Sequence, residues 1–213
     1  MQLTLYSAWR SSAAYRVRIG LNLKGLAYDI APVNLVANQH QEPAFAALNP
    51  QRLLPALEAD GRTLTQSLAI LEWLDETVPE PPLLPAGAFD RAAVRTMSLI
   101  VASDIHPVNN LRILRALTDL GVDEPDREAW IRRWITDGFT ALETMIVDHG
   151  KGFAFGGAPS LADCCLIPQV YNAERFKTDL TPFPAIRAVA ARCAEHPAFV
   201  AAHPNNQPDA IHA

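Results

Sequence analysis

The chain has 213 residues, of which 49% are hydrophobic and 19% charged, ample for a packed core and inconsistent with disorder. A formal net charge of −5, with an isoelectric point near 5.6, argues against a nucleic-acid partner, which would need a basic surface to neutralise phosphates. The amino end lacks the basic start and apolar core of a secretory signal, no apolar run approaches the ~20 residues that span a bilayer, and three cysteines (Cys164, Cys165, Cys193) form no CxxC pair, disulfide framework or metal site, so a cytoplasmic protein with cysteines used as small core residues is expected.

Residues 2–7 alternate apolar and polar side chains and predict a strand. Residues 12–24 are ambiguous by periodicity. Tyr15, Val17, Ile19, Leu21 and Leu23 alternate as a strand would, whereas Ala14, Val17, Leu21 and Lys24 fit a helical stripe. The serines ahead and Gly25 behind decide for a helix. A strand at 27–33, a helical turn at 43–48 ended by Asn49-Pro50, a hairpin at 55–58 and 62–64 turned by Asp60-Gly61, and a helix at 67–77 closed by Val78-Pro79 follow. The order β-α-β-α-β-β-α suits a small α/β layer with mixed strand directions. Four prolines between 79 and 85 mark a linker, placed at 82–89. Beyond it, 90–117, 126–149, 161–175 and 184–194 read as helices, so residues 1–81 form an α/β domain and 90–213 an all-α one.

The run Arg10-Ser11-Ser12-Ala13-Ala14-Tyr15-Arg16-Val17-Arg18-Ile19 resembles the signature of the zeta-class glutathione transferases, a serine pair ahead of a basic, amphipathic first helix. Leu48-Asn49-Pro50, Leu54-Pro55-Ala56-Leu57 and Gln66-Ser67-Leu68 match that family's glutathione site in order and spacing. Asp104-Ile105-His106-Pro107-Val108-Asn109-Asn110, Leu161-Ala162-Asp163 and Asn172-Ala173-Glu174-Arg175-Phe176 are similar to the bacterial maleylacetoacetate and maleylpyruvate isomerases of the class. Each piece alone is weak, but the ordered set spans essentially the whole chain. The resemblance implies a thioredoxin-like amino-terminal domain, a helical glutathione-transferase carboxy-terminal domain, a homodimer, and glutathione as a cosubstrate returned unchanged.

Physically, Ser11 or Ser12 could simply cap the first helix, worth about 1 kcal/mol. Alternatively a hydroxyl and the helix amides hold a thiolate. A free thiol ionises near pH 8.5, and lowering that by two units requires about 2.7 kcal/mol in favour of the anion. The resemblance assigns the closest thiol contact to Ser11, with Ser12 next. It also implies a cis Leu54-Pro55 bond that turns the Leu54 backbone toward glutathione, and a glutathione contact at His40. Ser67 reads as an ordinary N-cap, but a helix amino end also offers amides to an anion, and the resemblance assigns Gln66 and Ser67 to the γ-glutamyl carboxylate. Asp104, His106, Asn109 and Asn110 form a polar patch where Pro107 should bend the helix. The resemblance turns this patch toward the active site, with His106 and Asn110 at glutathione and Asp104 reaching it across a dimer interface. Arg10 and Arg175 could each be a plain surface charge, but the resemblance makes them the candidates for the substrate carboxylates, which a guanidinium binds bidentately. Ser160 and Asp163 spell a capping box, a folding element.

These parts suit cis–trans isomerisation of a maleyl keto acid. The reaction needs an ionised thiol to add across the double bond, cations for two carboxylates, and stabilisation of the enolate, a task for which His106 is the candidate. Maleylacetoacetate is the first choice of substrate and maleylpyruvate the second. A general conjugating transferase and a non-catalytic binding module rank below, the latter because serines and arginines are both kept.

Overall fold

The computed structural model describes residues 1–211, which divide into two compact units, one comprising Met1–Leu83 with the chain from Glu195 onward, the other Leu84–Ala194. In the first unit β1 (Leu3–Ser7), α1 (Ser12–Leu23), β2 (Asp29–Pro32), α2 (Pro43–Leu48), β3 (Ala56–Ala59), β4 (Arg62–Thr65) and α3 (Ser67–Thr77) follow the expected order, with a 3₁₀ turn at Gln39–Gln41. The sheet order is β2-β1-β3-β4, with β1 and β2 parallel and the other pairs antiparallel. This is the thioredoxin-like arrangement.

Helix α1 explains its own ambiguous periodicity. Every residue from Ser12 to Leu21 is buried, so the helix has no solvent face and needs no apolar stripe. The amphipathic first helix expected from sequence is therefore wrapped on all sides. Gly20 permits the closest approach, since a Cβ there would lie 2.1 Å from Leu71 Cδ2 of α3. Gly25, at φ +64°, ends the helix in the left-handed conformation that glycine adopts freely. Buried Lys24 forms an ion pair with Asp75 at 2.7 Å and donates to the carbonyls of Pro79 and Pro81, while the Leu83 N–H donates to Asp75 at 2.6 Å. The proline-rich stretch thus starts as a pinned segment rather than a free tether, and the chain changes unit between Leu83 and Leu84.

The second unit contains α4 (Ala88–Leu99), a π-helical turn (Ile100–Ile105), α5 (Leu111–Asp119), α6 (Glu124–His149), α7 (Leu161–Arg175) and α8 (Pro184–Ala194). Ile131, Ile135, Phe139, Leu142 and Ile146 recur every three or four residues and form the buried stripe of α6. The single helix expected over 90–117 is broken. Pro107 has no N–H to continue the ladder, the His106 N–H reaches back to Val101, and Asn110 caps a new helix by accepting from the Arg112 N–H at 3.1 Å.

The helical domain expected over 90–213 is also shorter in the structure, and residues 212 and 213 lie outside the described ones. From Glu195 the chain clusters with the first unit, where α9 (Pro197–Ala202) packs on α1. Arg18 Nε donates to the Ala202 carbonyl at 3.0 Å and Asn22 Nδ2 to that of Ala198 at 2.9 Å. No helix among the described residues is long and apolar enough to cross a membrane.

Candidate functional site

Strand register gathers the predicted residues of the first unit. Ser7, at the end of β1, lies opposite Pro32 of β2, Tyr6 opposite Ala56 at the start of β3, and Ala56 opposite Thr65 at the end of β4. The segments carrying Arg10, Ser11 and Ser12, the chain on to His40, Leu54-Pro55, and Gln66-Ser67 therefore all leave the sheet at the same end. Residues spread over more than fifty positions of sequence are brought together by four short strands.

At the first segment, Ser11 is the N-cap of α1, its Oγ accepting from the Ala14 N–H at 3.2 Å. Its hydroxyl hydrogen meets no protein acceptor among the described residues. A serine hydroxyl accepts and donates at once, so capping and holding an anion are compatible on this one side chain. Ser12, the first helical residue, is buried. Exposed Arg10 lays its guanidinium over the Trp9 ring, 4.2 Å from the centroid.

Leu54-Pro55 is cis, as the resemblance implied, and Glu80-Pro81 is cis as well. At the third segment the expectation for Ser67 needs correcting. The N-cap of α3 is Gln66, and Ser67 is the first residue of the helix. Gln66 sits at φ +67°, a conformation that costs a non-glycine residue about 1–3 kcal/mol. No side chain caps this helix end, and the Gln66 Nε2 donates to Gln51 Oε1 at 2.7 Å instead. Helix amides left uncapped by side chains favour an anion. Ser67 is buried, and its Oγ accepts from Arg16 Nη1 at 3.1 Å. His40, read from sequence as a loop residue, is buried in the 3₁₀ turn Gln39–Gln41.

In the second unit, Asp104 is exposed on the π-helical turn, His106 is half-buried, and Asn109 donates to the Ile131 carbonyl at 3.4 Å. Asn110 uses its Oδ1 for the cap of α5. Arg175 is exposed in the last turn of α7, its guanidinium 5.5 Å from the Phe176 ring centroid. At the other end of α7 the capping box is formed. Asp163, wholly buried, accepts from the Ser160 N–H and hydroxyl, both at 2.8 Å, and from the Ala154 N–H at 2.7 Å. Burial pushes its carboxyl up to about 6 against the pull of those hydrogen bonds. Cys164, Cys165 and Cys193 are free and buried, and burial raises the thiols of Cys164 and Cys193. Among the described residues no group of three His, Cys, Asp or Glu side chains is placed to hold a metal.

Two residues were undervalued in the sequence. Arg16 and Arg18 read as the basic face of a helix, yet they are 2% and 0% exposed. Arg16 puts a positive charge behind Ser67, at the anion-friendly end of α3. The available signal was energetic: charges set between Ala14, Val17 and Ile19 in a helix with no polar face must find internal partners.

Residues 1–76 match the amino-terminal domain of glutathione S-transferases and residues 127–199 the carboxy-terminal domain. A maleylpyruvate isomerase from a Ralstonia species is 50% identical over 210 residues, covering 97% of this chain and 99% of the relative. Among solved structures, the holo form of a maleylpyruvate isomerase, described as a bacterial zeta-class glutathione S-transferase, superposes with a TM-score of 0.95 at 49% identity, covering 98% of this chain and all of that one. The maleylacetoacetate isomerase of Anaeromyxobacter dehalogenans, with dicarboxyethyl glutathione and citrate bound in its active site, gives 0.89 at 47% identity, over 99% and 98% of the two chains. This chain belongs to the glutathione transferases, and within them to the zeta class that holds the maleyl-acid isomerases.

Proposed function

We propose that this glutathione-dependent isomerase acts on a maleyl keto acid, with maleylacetoacetate the preferred substrate. The observation that carries the reading is the meeting, at one end of the sheet, of a serine-capped α1 terminus and an α3 terminus with no side-chain cap, backed by Arg16. The first suits an anionic sulfur and the second an anionic carboxylate, two of the groups of glutathione, its thiol once ionised and its γ-glutamyl carboxylate.

When bound, glutathione supplies a thiolate that adds to the double bond and departs again, leaving a bond free to turn between the two steps and no net change in atoms. Ser11 keeps that sulfur ionised by donating its hydroxyl hydrogen, with Ser12 beside it. Leu54, Gln66, Ser67 and His40 hold the tripeptide. Arg10 binds a substrate carboxylate. From the second unit the family resemblance offers Arg175 and His106 to the substrate, and Asp104, His106 and Asn110 to glutathione. The enzyme works as a homodimer in the cytoplasm, a compartment that suits three free cysteines.

Maleylpyruvate is the second reading, supported by the 50% identity to an isomerase of that acid. Paired ultraviolet assays with the two acids, each with and without glutathione, test both. Turnover only with glutathione, and faster on maleylacetoacetate, is the expected result. A preference for maleylpyruvate transfers the assignment, and turnover without glutathione removes the thiolate mechanism.

A further inference from the structure

The peptide of Trp9 is gripped at both of its polar groups. Its N–H donates to Asp209 Oδ2 at 2.9 Å, and its carbonyl accepts from Arg18 Nη2 at 3.0 Å. Neither partner is local. Asp209 lies 200 residues away in the returning carboxy-terminal stretch, and Arg18 lies two turns into α1.

Arg18 is itself fully buried and held in place. Its Nη1 donates to Ser7 Oγ at 2.9 Å and its Nε to the Ala202 carbonyl of α9 at 3.0 Å. The tail therefore acts on the turn twice, through Ala202 on Arg18 and through Asp209 on Trp9. The turn after β1 lies outside the strand and helix ladders, and beyond its own Ser11-to-Ala8 bond the Asp209 and Arg18 bonds satisfy the Trp9 peptide at its centre. What hangs on it is the machinery proposed above. The Trp9 ring carries the Arg10 guanidinium, and this same turn closes with the Ser11 N–H donating to the Ala8 carbonyl at 2.9 Å.

We propose that Asp209, together with Arg18, is a positioning residue that grips the Trp9 peptide and so fixes where Arg10 and Ser11 present their side chains. The proposal rests on the reading of Ser11 as the thiolate donor and Arg10 as a carboxylate anchor. A clamp of this kind costs the burial of a guanidinium, offset here by its bonds to Ser7, Trp9 and Ala202.

The test uses the full-length protein and three variants, Asp209→Ala, Asp209→Asn and Ser11→Ala. The readouts are the pH midpoint of the bound-thiolate ultraviolet band and kcat and KM for the maleyl acid. Asparagine keeps an oxygen acceptor for the Trp9 N–H while losing the charge. A pure charge effect lowers the thiolate midpoint in both Asp209 variants, because a nearby anion is removed. Loss of positioning raises the midpoint in Asp209→Ala alone. The expected result is that rise, with kcat/KM down about tenfold for Asp209→Ala and rescued to within about threefold by Asp209→Asn. Equal shifts in the two Asp209 variants, or a wild-type Asp209→Ala, overturn the clamp while a shifted Ser11→Ala keeps the thiolate reading standing. An unshifted Ser11→Ala removes the thiolate reading and the clamp with it. Should Asp209→Ala fail to fold, Asp209→Glu, which keeps the charge but displaces the acceptor, takes its place, and wild-type kinetics in that variant overturn the proposal.

Discussion

Two helices among the described residues carry a serine at the N-cap, α1 with Ser11 and α7 with Ser160, and the two serines lead different lives. At α7, Ser160 donates its hydroxyl to Asp163, which also takes the Ser160 and Ala154 N–H groups, and the cluster is sealed from water. At α1, Ser11 accepts one helix amide, is half-buried, and keeps its hydrogen. A cap whose partners are all internal is a folding device. One with a donor to spare is available to a ligand. The sequence signal, a serine ahead of a helix, is the same in both, and the difference lies in whether a carboxylate three residues on consumes the hydroxyl.

The comparison breaks most visibly at α7. Replacing Asp163 with alanine strands two buried N–H groups and a hydroxyl and should cost about 3–5 kcal/mol, read by denaturant unfolding. The folded fraction should keep its turnover per active site, and an equal loss of both would erase the distinction between the two caps. The mirror experiment is Ser11→Ala. The isomerase rate with saturating glutathione should fall about 100-fold, near 2.7 kcal/mol, while the unfolding free energy drops by only about 1 kcal/mol for the lost cap. A variant that loses stability but not rate would make Ser11 another Ser160.

The far end of α7 sharpens the contrast within one helix. Arg175→Ala should raise the Michaelis constant for the maleyl acid about tenfold or more and leave glutathione affinity within about twofold, measured by steady-state kinetics and calorimetry. Unchanged substrate kinetics would leave both ends of α7 structural.

The smallest effect is a dependence on pH. The Asp163 carboxyl titrates near 6 in the folded protein, above its ordinary value of 3.8. The folded state therefore holds its proton more tightly, and the contribution to stability is fully present below pH 3.8 and lost as pH rises through 6. Between pH 5 and 7 wild-type stability should fall by about 1 kcal/mol relative to Asp163→Asn, seen as converging unfolding curves. An unchanging difference would mean that the hydrogen bonds, not burial, govern the group.

Local chemistry made much of this protein readable along the chain. Gly25, Asn49-Pro50, Asp60-Gly61 and Val78-Pro79 placed the ends of elements, because turns and caps depend on backbone preferences that act over a few residues. The serine pair, Gln66-Ser67 and the capping box marked the sites at stake for the same reason. Reading failed where the deciding partner was distant. The strand-like alternation in α1 meant only that every side of that helix is buried, and Arg16 and Arg18 passed for part of a basic, amphipathic helix because Ser67, Trp9 and Ala202 were out of sight. Pro107 suggested a bend, but whether the helix bends or stops depended on Asn110 capping a new start and on Trp130 of α6 donating to the Val108 carbonyl.

Taken alone, then, the order of residues determined the two kinds of architecture, the elements of the α/β layer and the family, since propensity, caps and motif spacing are written within a few positions of where they act. Only the tertiary structure decided which charges are buried, that the last stretch of chain returns to grip the first turn, and that one capping serine is spent while the other is not. Those outcomes depend on groups far apart in sequence meeting at hydrogen-bond distance, and such meetings are determined by packing as a whole.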